Sequence, residues 1–77
     1  MGLTEKQIKT LVLLASGLNV REISERTRVS IPIVRNTTKE ILTKLGVHTA
    51  AGAVGIGFVM GIISDMDVLT DVAVGED

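Results

Sequence analysis

The stretch VSIPIVRNTTKEILTKLGV, residues 29–47, places Arg35, Asn36 and Lys39 within five positions of one another. These side-chain types suit duplex DNA. Arginine and lysine donate to O6 and N7 of guanine in the major groove, and asparagine pairs with N6 and N7 of adenine. The spacing puts them on one side of a helix. At about 100° per residue, Thr38, Ile41 and Leu45 gather within roughly 40° of Val34, and Leu42 borders that buried stripe. Pro32, Arg35, Asn36, Lys39 and Thr43 fall on the far side, at about 100° to 200°. No acid interrupts this outer stripe. Glu40 lies off it, toward Ile33 and Lys44. The residues leave two readings open: an edge that reads bases, and the solvated face of an ordinary helix.

The elements that carry these residues are written in cap and stop signals. Thr4-Glu5-Lys6-Gln7 has the form of a capping box, and Ile8, Leu11, Val12 and Ala15 follow at i, i+3, i+4 and i+7. Gly17 supplies a left-handed stop, so the first helix is expected over 4–16. Asn19 to Glu22 is a second capping box, opening a short helix over 20–27 with Ile23 as its apolar anchor. Arg28 and Val29 form a tight turn. Ser30 caps the third helix, over 31–45. Pro32 falls in its first turn, where a missing N–H costs nothing, and Gly46 ends it. Thr49 caps a fourth helix over 50–63. The two helices that flank Arg28 are spaced as a helix-turn-helix.

Size and composition narrow the classes. The chain has 77 residues, no cysteine, a single histidine (His48) and a single aromatic residue (Phe58). One small domain near the lower limit for a self-sufficient core is expected, all-α and filled with aliphatic side chains. Binding of single strands by stacking lacks its aromatic platforms. Disulfides and thiolate metal sites are ruled out by composition. The start, MGLTEKQ, is not a signal peptide, and Lys6 breaks the myristoylation pattern that Gly2 begins. A Ser-His-Asp arrangement drawn from Ser16 or Ser64 with His48 has no motif around it. Neither a dinucleotide fingerprint nor a phosphate-loop lysine is present. No enzyme, cofactor or metal is expected.

The net charge of -1 averages two different objects. Residues 1–49 hold eight basic and four acidic residues, a net of +4, and residues 50–77 hold five acids and no base, a net of -5. The segment AAGAVGIGFVMGII, residues 50–63, has no charge and is apolar all round. It is shorter than the roughly 20 residues a bilayer span needs, so no membrane is expected. A helix without a wet face leaves an exposed patch on so small a domain, which points to a homodimer. Val54, Phe58 and Ile62 are the candidate seam, with Gly57 and Gly61 as a small-residue pair that lets two backbones approach. Residues 64–77 are expected to be an acidic, mostly disordered tail, with short structure at Val68 and Leu69. The tail has three readings: a solubilising end, a segment whose Asp65, Asp67 and Asp71 fold back on the basic helix, and a contact for a second protein.

Over residues 3 to about 63 the sequence resembles the LuxR/GerE-type helix-turn-helix of bacterial transcription regulators. The resemblance rests on Leu3-Thr4-Glu5, Leu11, Leu14, Gly17, Asn19-Val20-Arg21-Glu22-Ile23, Ser30, Val34-Arg35-Asn36, Ile41, Lys44-Leu45-Gly46-Val47 and Ala53-Val54. It implies a four-helix domain, residues 1–63, standing alone ahead of the tail. It further implies base contacts from Arg35, Asn36 and Lys39, with Arg21 near the DNA backbone. Ser30, Thr37 and Thr43 complete the expected backbone contacts, and the fourth helix supplies a homodimer contact. The departures are Ile33 where the family has Thr, Thr37 where it often has His, Ala50 in place of Arg and Gly52 in place of Glu. Fewer phosphate contacts lower affinity and flatten its salt dependence. The expected function is a homodimeric, sequence-specific regulator of transcription in the cytoplasm, at the nucleoid when bound. The alternative is a protein-interaction module of helix-turn-helix shape that binds another regulator through residues 50–63 or the tail.

Overall fold

A computed structural model describes residues 2–67, and their regular structure is helical throughout. The elements are α1 (Glu5–Ala15), α2 (Val20–Thr27), α3 (Ile31–Leu45) and α4 (Ala50–Val59). Both expected capping boxes form. The Gln7 N–H donates to Thr4 Oγ1 at 3.1 Å while the Thr4 N–H donates to Gln7 Oε1 at 2.9 Å. Asn19 and Glu22 exchange the same pair of bonds, each 2.9 Å long. Each box satisfies backbone donors that a helix start leaves without partners. Ser30 behaves differently. It occupies the cap position of α3, but its side chain makes no capping bond. Pro32 removes one of the amides a capping side chain would otherwise reach.

Helix ends follow a common device. Gly17, Gly46 and Gly61 adopt positive φ of 93°, 69° and 72°. The next residue then bonds five positions back: Leu18 to Leu13 O, Val47 to Leu42 O and Ile62 to Gly57 O, at 3.2, 3.0 and 2.8 Å. This Schellman closure satisfies carbonyls the helix leaves open. Its third use corrects the expected helix over 50–63. Gly61 is a stop of the same kind as Gly17 and Gly46, so α4 ends at Val59 and the chain turns back. Ile63 then enters the core at 2% exposure. The turn between α2 and α3 has no glycine. Arg28 itself takes φ 63°, its N–H bonded to Ser24 O at 2.9 Å, and the Ser24 hydroxyl donates to the Val29 carbonyl.

α1 and α3 each contact all the other helices, whereas α2 and α4 do not meet. The central pair therefore divides the core in two. On one side Leu11, Ile41, Ala53 and Ile63 join α1, α3 and α4, and on the other Leu13, Ile23 and Val34 join α1, α2 and α3. Leu11, Ile23 and Ile41 are fully buried. Burial of each such side chain contributes about 1.5–3 kcal/mol. Gly57 is part of the first core: a Cβ there would meet Leu11 Cδ2 at 3.0 Å. Among the described residues no single helix is long and apolar enough to cross a membrane.

The chain past α4 is more ordered at its start than its composition suggests. Ser64 opens a helical turn over 65–67. The Ser64 N–H and hydroxyl both donate to Asp67 Oδ2, at 3.0 and 3.2 Å, and the Asp67 N–H returns a bond to Ser64 Oγ at 3.4 Å. Here S-x-x-D acts as a cap, so Asp67 serves the backbone locally. The expectations for Val68, Leu69 and Asp71 lie outside the described residues.

Candidate nucleic-acid interface

The outer face of α3 is set by its inner one. Val34, Thr37 and Ile41 are buried at i, i+3 and i+7, so the helix presents Pro32, Arg35, Asn36, Lys39 and Thr43 outward, all exposed. Thr38, at the edge, turns its hydroxyl back to Val34 O at 2.9 Å. Arg35, Asn36 and Lys39 make no side-chain hydrogen bond or ion pair to any described residue. Their donors are free for a partner. Arg35 and Asn36 stand in the first half of the helix, the part that reaches base edges when a recognition helix enters a major groove.

The nearest acid on α3 is held away from these residues. Gln7 Nε2 donates to Glu40 Oε1 at 3.1 Å, and Lys44 Nζ donates to Gln7 Oε1 at 3.0 Å and to Gly2 O at 3.4 Å. Gln7 thus links the cap of α1 to the flank of α3. Glu40 is tied toward α1, and the stripe from Pro32 to Thr43 carries no acid. The residues alone place Glu40 off the stripe. They do not reveal Gln7 as its partner, because that contact spans 33 positions.

The expected backbone contacts fall in different places. Arg21 is exposed at the start of α2, Ser30 is exposed with its hydroxyl unused by the cap, and Thr43 is exposed on the outer face of α3. Thr37 does not join them. It is 6% exposed on the inward face, so the expectation that it meets a phosphate is corrected. Its spacing from Val34 and Ile41 already carried that signal.

The candidate seam residues are also dispersed. Val54 and Ile62 are half-buried against the α1/α3/α4 core, and Gly57 is closed over by Leu11 and Ile63. Gly61 lies beyond the end of α4, so Gly57 and Gly61 do not form a stripe on one helix. Phe58 does reach the surface. Its neighbours Val59 and Met60 are more exposed still, at 82% and 64%, and Met66 is exposed in the capped turn. The apolar surface therefore gathers at the end of α4, where the Gly61 turn leaves these side chains uncovered. Of the serines weighed for catalysis, Ser16 donates to Val12 O at 2.9 Å and Ser64 is bonded to Asp67. Their hydroxyls serve the backbone.

Comparison with curated proteins and with solved structures returns no match. Comparison with protein families gives one: the model for bacterial regulatory proteins, luxR family (GerE), matches residues 1–56. The match takes in α1, the whole helix-turn-helix of α2 and α3, and most of α4. It stops short of the exposed Phe58, Val59 and Met60. The chain belongs to the LuxR family of bacterial regulatory proteins, whose helix-turn-helix is a DNA-binding domain of transcription regulators.

Proposed function

We propose that this protein binds specific duplex DNA sequences as a homodimer, with α3 of each copy in a major groove. The observation that carries the reading is the acid-free outer face of α3, where Arg35, Asn36 and Lys39 have no partner among the described residues. Arg35 and Lys39 read guanine, and Asn36 reads adenine. Arg21, Ser30 and Thr43 hold the sugar-phosphate backbone and set the register. The dimer forms through the end of α4, where Phe58, Val59 and Met60 gain cover from a second copy. Two-fold symmetry then makes the target roughly palindromic. Such a protein works at the nucleoid.

Selection from a pool of random duplexes, at low and at moderate salt, tests this reading. The expected result is a short two-fold motif that the double variant Arg35→Ala, Lys39→Ala no longer recovers. The absence of enrichment at both salts would reject it.

The exposure of Val59 and Met60 favours a second reading, in which the end of α4 docks on another regulator. Salt separates the two. Affinity for DNA falls steeply with salt because releasing condensed counterions into more concentrated salt gains less, while apolar docking barely responds.

A further inference from the structure

The large apolar side chains exposed among the described residues gather at the end of α4 and in the turn that follows it, with one exception: Ile33, 46% exposed on α3. It joins neither half of the core. Pro32 beside it is exposed too, so the first turn of α3 presents an apolar tip ahead of Arg35, Asn36 and Lys39. Ile33 stands about 60° around the helix from Asn36 and one turn nearer its start. An isoleucine so placed is unfavourable in water and has no cover from its own domain.

Glu40 constrains how α3 approaches DNA. It lies on the same flank as Ile33, about 10 Å further along the axis. A helix laid flat in the groove would press that carboxylate against a phosphate strand. α3 therefore enters by its first turns, with Ile33 deep and Glu40 outside, held by Gln7. The N-terminal residues of a recognition helix are the ones that meet base edges in that pose. The major groove offers one apolar group to such a side chain, the C5-methyl of thymine. This methyl projects from the pyrimidine toward its own strand, so it lies nearer the side of the groove than the middle of its floor. A residue on the flank of an entering helix meets it there.

We infer that Ile33 is a specificity-determining residue whose side chain packs on the C5-methyl of a thymine, in the base pair that Asn36 reads or in the next one. The inference rests on the DNA-binding reading proposed above. Arg35 and Asn36 then select purines through hydrogen bonds, and Ile33 adds a thymine through apolar burial. Part of the target is read without a polar contact.

Uracil differs from thymine only by lacking this methyl, so it isolates the contact. The duplex that the full chain selects from a random pool is resynthesised with each thymine in turn replaced by uracil, and binding is measured for the unaltered chain and for Ile33→Ala. One uracil position per half-site is expected to weaken binding by about three- to tenfold, as loss of a single buried methyl does. Ile33→Ala is expected to bind the thymine and uracil duplexes alike, at the weaker affinity. Its melting temperature is expected to be unchanged, because the side chain is exposed. If every uracil duplex binds the unaltered chain as tightly as the thymine duplex does, Ile33 reads no methyl. A uracil penalty that persists in Ile33→Ala overturns the proposal as well, since another residue then meets the methyl. Both of those results leave sequence-specific binding standing. Failure of the unaltered chain to select any motif rejects that binding itself, and this inference with it.

Discussion

Gln7 Nε2 lies 3.1 Å from Glu40 Oε1, joining the first turn of α1 to the third turn of α3. The same side chain closes the cap of α1 through Thr4 and accepts from Lys44 at 3.0 Å. One buried amide therefore holds the helix start, the flank of α3 and the position of its acid. Gln7→Leu keeps most of the volume and removes these bonds. It is expected to destabilise the domain by about 1–3 kcal/mol, as unpaired partners and a lost cap together do. Urea unfolding measures the change. A loss smaller than about 0.5 kcal/mol, the range of ordinary surface substitutions, would mean that water replaces Gln7 at no cost.

Arg35 and Lys39 are exposed and make no side-chain hydrogen bond or ion pair to any described residue, so their removal is expected to leave the fold intact. The double variant Arg35→Ala, Lys39→Ala is expected to lose sequence preference on duplex DNA while its stability changes by less than about 0.5 kcal/mol. A large fall in melting temperature would show that these side chains are structural and would remove the main support for groove reading.

The glycines of α4 are expected to respond in opposite directions. A Cβ at Gly55 meets nothing within 4 Å, whereas at Gly57 it meets Leu11 Cδ2 at 3.0 Å and Ile63 at 3.3 Å. Gly55→Ala should stabilise by about 0.5–1 kcal/mol through helix propensity. Gly57→Val should destabilise by about 1–3 kcal/mol through overpacking. Thermal unfolding of the two variants side by side checks the pair. Tolerance of valine at Gly57 would mean that Ile63 does not pack there in solution.

Arg28 holds a left-handed conformation that L side chains enter at a cost of about 1–2 kcal/mol. Arg28→Gly relieves that cost but adds freedom to the unfolded chain, so a net gain of about 0.5–1 kcal/mol is expected. Denaturation at equilibrium reads it out. A loss of stability would mean that the arginine side chain makes up for its backbone through contacts of its own.

Phe58→Asp and Val59→Asp each place a charge in the exposed apolar end of α4. Each is expected to shift the protein from dimer to monomer in sedimentation while the helical circular dichroism signal is retained. A folded dimer in both variants would place the seam elsewhere.

The two capping boxes of α1 and α2 and the glycine stops of α1 and α3 were legible in the chain because each is a local device. A capping side chain reaches three residues, and a left-handed glycine closes its own helix. The same locality made the outer stripe of α3 readable, since helical period alone sorts Arg35, Asn36 and Lys39 from Val34 and Ile41. The resemblance to LuxR-type regulators rests on those same residues. Gly61 is the instructive failure. Within a run of apolar residues it reads equally well as a packing residue and as a stop, and only the core waiting for Ile63 chooses between them. Contacts between distant positions were out of reach for the same reason. The hold of Gln7 on Glu40 and the cover of Leu11 over Gly57 exist only once α1 is laid across α3 and α4. Local chemistry wrote the helices and the reading edge; the packing of helices against one another decided which apolar residues are buried and which remain exposed at the end of α4.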